Sequence, residues 1–169
     1  WQPGHPHGKM LQTVPDFESA VEMMEKTEFN APNYFILAGS ELYQGAVVTK
    51  DRLGHREPTT PPTQRLDRAK GIWHLVQTND DLLSPPVDSR RGTALTRLSN
   101  SQQSQVSMDF VQHEMEAPPV MNSNTLVTWV ANPSTGTHRI LVWPPRRLSA
   151  GEVAQGLASK VLRRAFHIH

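Results

Sequence analysis

The stretch that decides the fold is APNYFILAG at residues 31–39, which is followed by GAVVTKDR at residues 45–52. Each half contains a short apolar run that favours β-structure, first Tyr34 to Ala38 and then Ala46 to Lys50. Two such runs joined by a short connection between glycines are typical of a β-hairpin. We therefore predict two adjacent antiparallel strands with a turn from Gly39 to Gly45.

A helix is predicted before this hairpin and a third strand after it. Between residues 16 and 27, apolar side chains recur at the spacing of one helical face: Phe17, Ala20, Val21 and Met24. Residues 72–78, within GIWHLVQTNDD, are apolar and β-prone until the polar run that contains Asn79. We predict a core strand from Ile72 to Thr78 that delivers Asn79 at its end.

The remaining pattern predicts two more helical segments and a second hairpin. A long, exposed, proline-rich loop is expected over residues 53–70, one or two helical turns over 91–98 and a short helix over 107–116. Residues 125–130 and 138–143 are expected to pair as strands around a Pro/Gly turn. Helices together with about five antiparallel strands indicate the α+β fold class.

Terminal segments are predicted on both sides of this domain, which covers residues 16–143. Residues 1–15 are rich in Pro, Gly and His, and they are expected to form an extended, exposed arm rather than a metal site. Residues 144–169 are expected to form a C-terminal extension, in which a capping box opens an amphipathic basic helix over residues 149–166. That helix could pack on a protein partner, on its own domain or on a membrane surface.

Composition excludes several classes of function. The 169 residues include no Cys, which excludes disulfides, thiolate metal sites and a Cys nucleophile within this chain. A net charge of +1 is too small to favour nucleic-acid binding by the chain as a whole. No apolar run reaches the length of a membrane span. The chain starts at Trp1 and has no N-glycosylation acceptor site, which suggests a removed or absent upstream segment and an imported organellar protein, for example a mitochondrial one.

Two polar residues are candidates for chemistry. Asn79 at the end of a strand could present an amide donor to the oxyanion of an acyl transfer. Arg90, in DSRR at residues 88–91, could hold a carboxylate or a developing negative charge. An Asn in this position is also common in turns, and a pair of arginines is usually a surface feature, so both interpretations stay open. We predict no cofactor and no metal site.

Four segments, taken in chain order, resemble motifs of the acid ceramidase family, which includes N-acylethanolamine-hydrolysing acid amidase. The segments are APNYFILAG, GAVVTKDR, GIWHLVQTNDD and DSRRGTAL. The resemblance covers roughly residues 14–143. It implies an N-terminal nucleophile hydrolase fold with αββα layers, in which an N-terminal Cys freed by self-cleavage attacks a fatty-acyl amide. It also implies that Asn79 is the oxyanion donor and that Arg90 lines the nucleophile's site. This chain differs by having Asp80 where the family has Tyr, and Ser89 where the family has a second Asp.

Two functions follow as hypotheses. In the first, the chain is a catalytically inactive, structural or accessory subunit of a larger assembly, which it contacts through its arms and the helix at 149–166. In the second, it is one half of a split or processed fatty-acyl amide hydrolase whose nucleophilic Cys lies on a partner chain. In both, the apolar faces of a partial sandwich should need cover from another polypeptide. A lysosomal location follows if the chain shares its family's compartment.

Overall fold

The computed structural model describes residues 13–29, 31–50, 63–80 and 89–143. The C-terminal extension with its predicted helix, most of the predicted N-terminal arm and residues 53–62 of the predicted loop lie outside these ranges. The described part holds three complete α-helices, one 3-10 turn and five strands in two antiparallel sheets. The predicted α+β class is therefore confirmed.

The first helix, α1 (Phe17–Lys26), forms as the apolar spacing predicted. Asp16 caps it, because its carboxylate accepts a hydrogen bond from the backbone N–H of Ser19 at 2.8 Å. The apolar stripe is buried, and Val21 and Met24 are completely shielded from solvent. The helix ends at Thr27, whose backbone is extended.

The first sheet is built on the predicted hairpin. Strands β1 (Asn33–Ala38) and β2 (Gly45–Lys50) pair antiparallel, with Phe35 opposite Val48 and Ile36 opposite Val47. Because side chains alternate along a strand, Phe35 and Val48 point to one face and Ile36 and Val47 to the other. The hairpin prediction is confirmed.

A short third strand, β3 (Thr63–Arg65), pairs with β2 within the segment predicted to be an exposed loop. That part of the loop prediction is wrong. Two side chains of β3 bind α1: the Thr63 hydroxyl donates to Glu25 at 2.6 Å, and Arg65 Nη1 lies 2.7 Å from the Glu18 carboxylate. Polar contacts to a neighbouring helix fix this strand, so apolar periodicity could not reveal it.

The core of the first sheet lies between one sheet face and α1. Its members are apolar side chains from the helix, from the connection that follows it and from the first two strands: Val21, Met24, Phe29, Phe35, Leu37, Ala46 and Val48. The rings of Phe29 and Phe35 are tilted, with centroids 4.5 Å apart. The helix covers only this face, so the face that carries Ile36 and Val47 points away from α1.

The predicted strand from Ile72 to Thr78 is wrong. Ile72 forms an isolated antiparallel bridge with Asp67, with both N–H···O distances at 2.8 Å, and residues 73–78 have no regular secondary structure. No described strand pairs with residues 73–78. Because β-propensity reflects packing against neighbouring strands, a β-prone segment without such a neighbour need not form a strand. The segment is half-buried instead, along one wall of an open groove.

Two helices follow, near the predicted positions. Helix α2 (Arg90–Ser99) and helix α3 (Met108–Glu116) are separated by a 3-10 turn (Gln103–Gln105), where only a polar linker was predicted. Ser107 caps α3 by accepting from the Phe110 N–H at 3.1 Å. None of the helices in the described part combines the length and the apolar character that crossing a membrane would require.

The predicted second hairpin is confirmed as β4 (Val127–Asn132) and β5 (Thr137–Val142). Thr128 and Val130 are buried on the sheet face that packs on α3. An ion pair between Arg139 of β5 and Asp109 of α3 joins the same two elements. The opposite face carries four large apolar side chains that remain exposed: Val127 at 53%, Trp129 at 65%, Ile140 at 60% and Val142 at 74%. We call these four residues the open apolar face.

Candidate functional site

An open groove of about 1730 Å³ lies beside the first sheet. One wall is the sheet face that α1 does not cover, with Ile36 and Val47. The other walls come from the segment at 73–79, from the start of α2, from α3 and from residues 119–128. Most of the lining is apolar, and its polar side chains come from residues 77–79, from the start of α2, from α3 and from residues 122–128.

The two residues chosen from the sequence both line this groove. Asn79 is exposed at the end of the 73–79 segment, and Arg90 is half-buried at the first position of α2. The fold thus brings a neutral amide and a guanidinium to the same cavity, although the sequence separates their motifs. Their catalytic roles stay predictions.

The backbone on either side of Asn79 is fixed by side-chain donors. Gln77 Nε2 donates to the carbonyl oxygens of Thr78 at 2.7 Å and of Asp80 at 2.9 Å. Arg91 Nη1 donates to the same Asp80 oxygen at 2.9 Å. A turn held at both carbonyls limits the range of directions in which the intervening Asn79 side chain can point.

Sequence reasoning did not single out Gln77 and Arg91. Arg91 is the buried member of the arginine pair, with only 5% of its surface exposed, whereas the resemblance drew attention to Arg90. The adjacency of two arginines carries no signal for which one is buried. Gln77 lies in a segment interpreted as a strand, where a polar residue would be expected simply to face solvent.

Two polar atoms of residues that line the groove are buried without a hydrogen-bond partner in the described part of the chain: His74 Nδ1 and Thr78 Oγ1. Burial lowers the pKa of His74 below its ordinary value of 6.5, because desolvation disfavours the imidazolium. The imidazole packs edge-on against Trp73, with ring centroids 4.4 Å apart. His74 is therefore neutral at pH 7.

Glu114 on α3 contributes the carboxylate of the groove. It forms a forked ion pair with Arg97 on α2, at 2.5 Å from Nε to Oε2 and 2.9 Å from Nη2 to Oε1. The hydrogen bonds from Arg97 hold the pKa of Glu114 below its ordinary value of 4.5. Glu114 is an anion at neutral pH and cannot donate a proton there.

Nowhere in the part of the chain that the structure describes do three or more His, Asp or Glu side chains gather closely enough to hold a metal ion. The groove instead offers several side-chain amides, among them Asn79, together with the Arg90 guanidinium, hydroxyl groups, the His74 imidazole and the ion-paired Glu114 carboxylate. Such a set can bind a polarised carbonyl and stabilise negative charge on its oxygen.

No protein-family model matches this chain. It is 31% identical to acid ceramidase of Homo sapiens over 129 residues, which are 75% of this chain and 31% of that protein. It is 33% identical to N-acylethanolamine-hydrolyzing acid amidase of Oryctolagus cuniculus over 122 residues, which are 71% of this chain and 33% of that protein. Acid ceramidase of Bos taurus is 30% identical over 129 residues.

This region of the chain belongs to the acid ceramidase family. The resemblance seen in the four motifs is therefore confirmed. The chain spans about a third of the length of the acid ceramidases and the amidase that it matches. Two antiparallel sheets, with α1 on the outside of one and α3 on a face of the other, are compatible with the layered αββα fold that the resemblance implied.

Proposed function

We propose that this chain supplies the oxyanion-binding and site-lining part of a fatty-acyl amide hydrolase, whose nucleophilic Cys comes from polypeptide outside these 169 residues. The observation that carries this proposal is the presence of Asn79 and Arg90 in one groove with apolar walls. The names of the relatives, acid ceramidase and N-acylethanolamine-hydrolyzing acid amidase, agree with this proposal.

The chemistry assigns a separate role to each group. When a thiolate attacks an amide carbonyl, negative charge develops on the carbonyl oxygen, and a preorganised amide N–H lowers the barrier by binding it. We assign this role to Asn79, one of the side-chain amides that line the groove. Arg90 adds a positive charge that orients the substrate's polar end, and exposed apolar side chains such as Ile36 and Leu42 suit an acyl chain.

The uncovered apolar surfaces support the need for further polypeptide. Ile36 on the groove side of the first sheet is 70% exposed, and Trp129 on the open apolar face is 65% exposed. Contiguous apolar residues of this size on two sheets are typical of surfaces that another chain or chain segment covers.

A non-catalytic role as a structural or accessory subunit is the second candidate, and Asp80 favours it. Its carboxylate adjoins the proposed oxyanion donor, where the family has Tyr, and negative charge there opposes the developing oxyanion. In this alternative the groove is retained only as a surface for assembly.

One experiment separates the two candidates. The full chain is purified together with the polypeptides that bind it, each is sequenced from its N-terminus, and hydrolysis of a fluorogenic fatty-acyl amide is measured. We expect a bound chain that begins with Cys, and a loss of about 10²–10³ in kcat on Asn79→Ala. Asn100→Ala is the matched control, because Asn100 is an exposed amide at the end of α2 and outside the groove.

An assembly that has no Cys-initiated chain and does not hydrolyse the substrate would support the accessory role instead. A second variant refines the result, since Asp80→Tyr restores the residue that the family has. We expect it to raise kcat about tenfold if the carboxylate opposes the oxyanion, which corresponds to about 1.4 kcal/mol of barrier. An unchanged rate would show that the Asp80 charge does not reach the reacting carbonyl.

Membership of this family also favours a lysosomal over a mitochondrial location, so we infer that the chain works in an acidic compartment. Co-localisation of the tagged full-length protein with lysosomal or mitochondrial markers tests this inference, and a mitochondrial signal would contradict it.

A further inference from the structure

Side chains bind the turn that carries Asn79, and none of the strands in the described part of the chain pairs with it. Gln77 and Arg91 together make three hydrogen bonds to the carbonyl oxygens of Thr78 and Asp80. The Asp80 oxygen accepts two of these bonds, which uses both of its lone pairs. We call this set of three bonds the carbonyl clamp.

The clamp connects the two sequence motifs of the candidate site. Gln77 precedes Asn79 by two positions, and Arg91 directly follows Arg90 at the start of α2. The bond from Arg91 to Asp80 therefore fixes the distance between the backbone that carries Asn79 and the backbone that carries Arg90.

Burial gives the clamp its strength. Arg91 is 5% exposed, so its guanidinium has lost most of its water and depends on protein acceptors such as the Asp80 carbonyl. Loss of either donor would leave a partly buried carbonyl without that partner, which is costlier than breaking an exposed bond. The turn would then be free to sample other conformations.

We propose that Gln77 and Arg91 are positioning residues that hold the Asn79 amide and the Arg90 guanidinium at one edge of the groove. An oxyanion donor accelerates a reaction only when it is already oriented, and displacement of a catalytic group by about 1 Å can cost 10²-fold in rate. The consequence for catalysis rests on the proposed function, whereas the consequence for the order of the turn does not.

The first test measures backbone order by ¹⁵N relaxation in the full-length chain. In Gln77→Met, the order parameters of Asn79 and Asp80 should fall from about 0.85 to below about 0.6, while those of β1 and β2 stay unchanged. The matched control is Gln112→Met, which removes an amide that donates to Glu116 in α3 and accepts from Arg139 in β5, outside the groove. Unchanged order at Asn79 in Gln77→Met would overturn the proposal.

Arg91→Met should have the same local effect. Because Arg91 is buried, this variant could fail to fold, and Gln77→Met then decides the outcome alone. Arg91→Lys keeps one donor, and its order parameters should lie between those of the parent chain and of Arg91→Met.

The second test separates positioning from a merely structural role by a double-mutant cycle in the hydrolytic complex. Gln77→Met should lower kcat about 10- to 100-fold with little change in KM, and it should cost nothing further in the Asn79→Ala background. Additive losses would overturn the positioning role. If the parent complex hydrolyses no amide, the proposed function fails, and the order parameters still decide whether the clamp holds the turn.

Discussion

Arg97 in the last turn of α2 faces Glu114 on α3, and two hydrogen bonds join the guanidinium and the carboxylate side by side. This forked geometry is among the stronger ion pairs that Arg makes, and here it connects two helices none of whose hydrophobic side chains is fully buried. It also fixes the α3 residue that places a carboxylate in the groove.

We predict that Glu114→Gln lowers the Tm at pH 7 by about 2–4 °C. Arg97 holds the pKa of Glu114 below 4.5, so the stabilisation is complete above the unfolded value and is lost as the pH falls through the folded value. The difference in Tm between variant and parent should therefore shrink toward zero in strong acid. Glu22→Gln is the control, since it alters an exposed pair within α1 and should change little.

Met24 is fully buried between α1 and the first sheet, and we predict that Met24→Ala destabilises the chain by about 2–5 kcal/mol in urea unfolding. The cost comes from the lost apolar contacts and from the cavity that remains. Met115→Ala is the matched control, because Met115 is 44% exposed and its truncation should change stability by no more than about 0.5 kcal/mol. Equal effects of the two variants would contradict the position of the core.

Trp129 tests the open apolar face. We predict that Trp129→Thr lowers the binding of a hydrophobic dye and the tendency to self-associate, with a change in Tm of less than about 2 °C, because the indole is mostly in water. Val130→Thr changes the buried, opposite face of the same strand and should lower the Tm substantially. A large loss of stability in Trp129→Thr would mean that the open apolar face is covered within the chain itself.

His74 should make stability depend on pH. Its folded pKa lies below 6.5, so the unfolded chain binds more protons between the two values and stability rises with pH. The contribution of neutral His74 to the free energy of unfolding is complete above about pH 6.5, and it is lost as the pH falls toward the pKa of His74 in the folded chain. We predict that His74→Phe flattens the stability curve over this range, and that NMR titration of His74 gives a pKa below 6.5. A titration above 6.5 would contradict its burial as a neutral ring.

Most local elements of this protein could be predicted from its sequence, because each has a strong local cause. The apolar spacing around Met24 predicted α1, and the glycine-bounded runs predicted the β1–β2 hairpin. The segment at 72–78 has an equally strong β-prone composition but forms no strand, because a strand also needs a neighbour to pair with. The short strand at 63–65 was missed because polar contacts to α1 support it rather than apolar periodicity.

In the candidate site too, some features could be predicted from the sequence and others could not. Its motifs were sufficient to select Asn79 and Arg90 and to indicate the family, since short ordered motifs reflect side-chain chemistry. The burial of Arg91 and its bond to Asp80 depend on the contact between the turn at Asn79 and the start of α2. No local sequence pattern predicts that contact.

Composition, periodicity and motif order were sufficient to predict the family, the α+β class and the residue types available for chemistry. Packing of distant segments places Asn79 and Arg90 in one groove, brings the Gln77 and Arg91 donors to the turn at Asn79, and leaves the face with Trp129 open. The physical reason is that burial and long-range hydrogen bonds arise only when distant segments pack, and they then give two similar neighbours, such as Arg90 and Arg91, different environments.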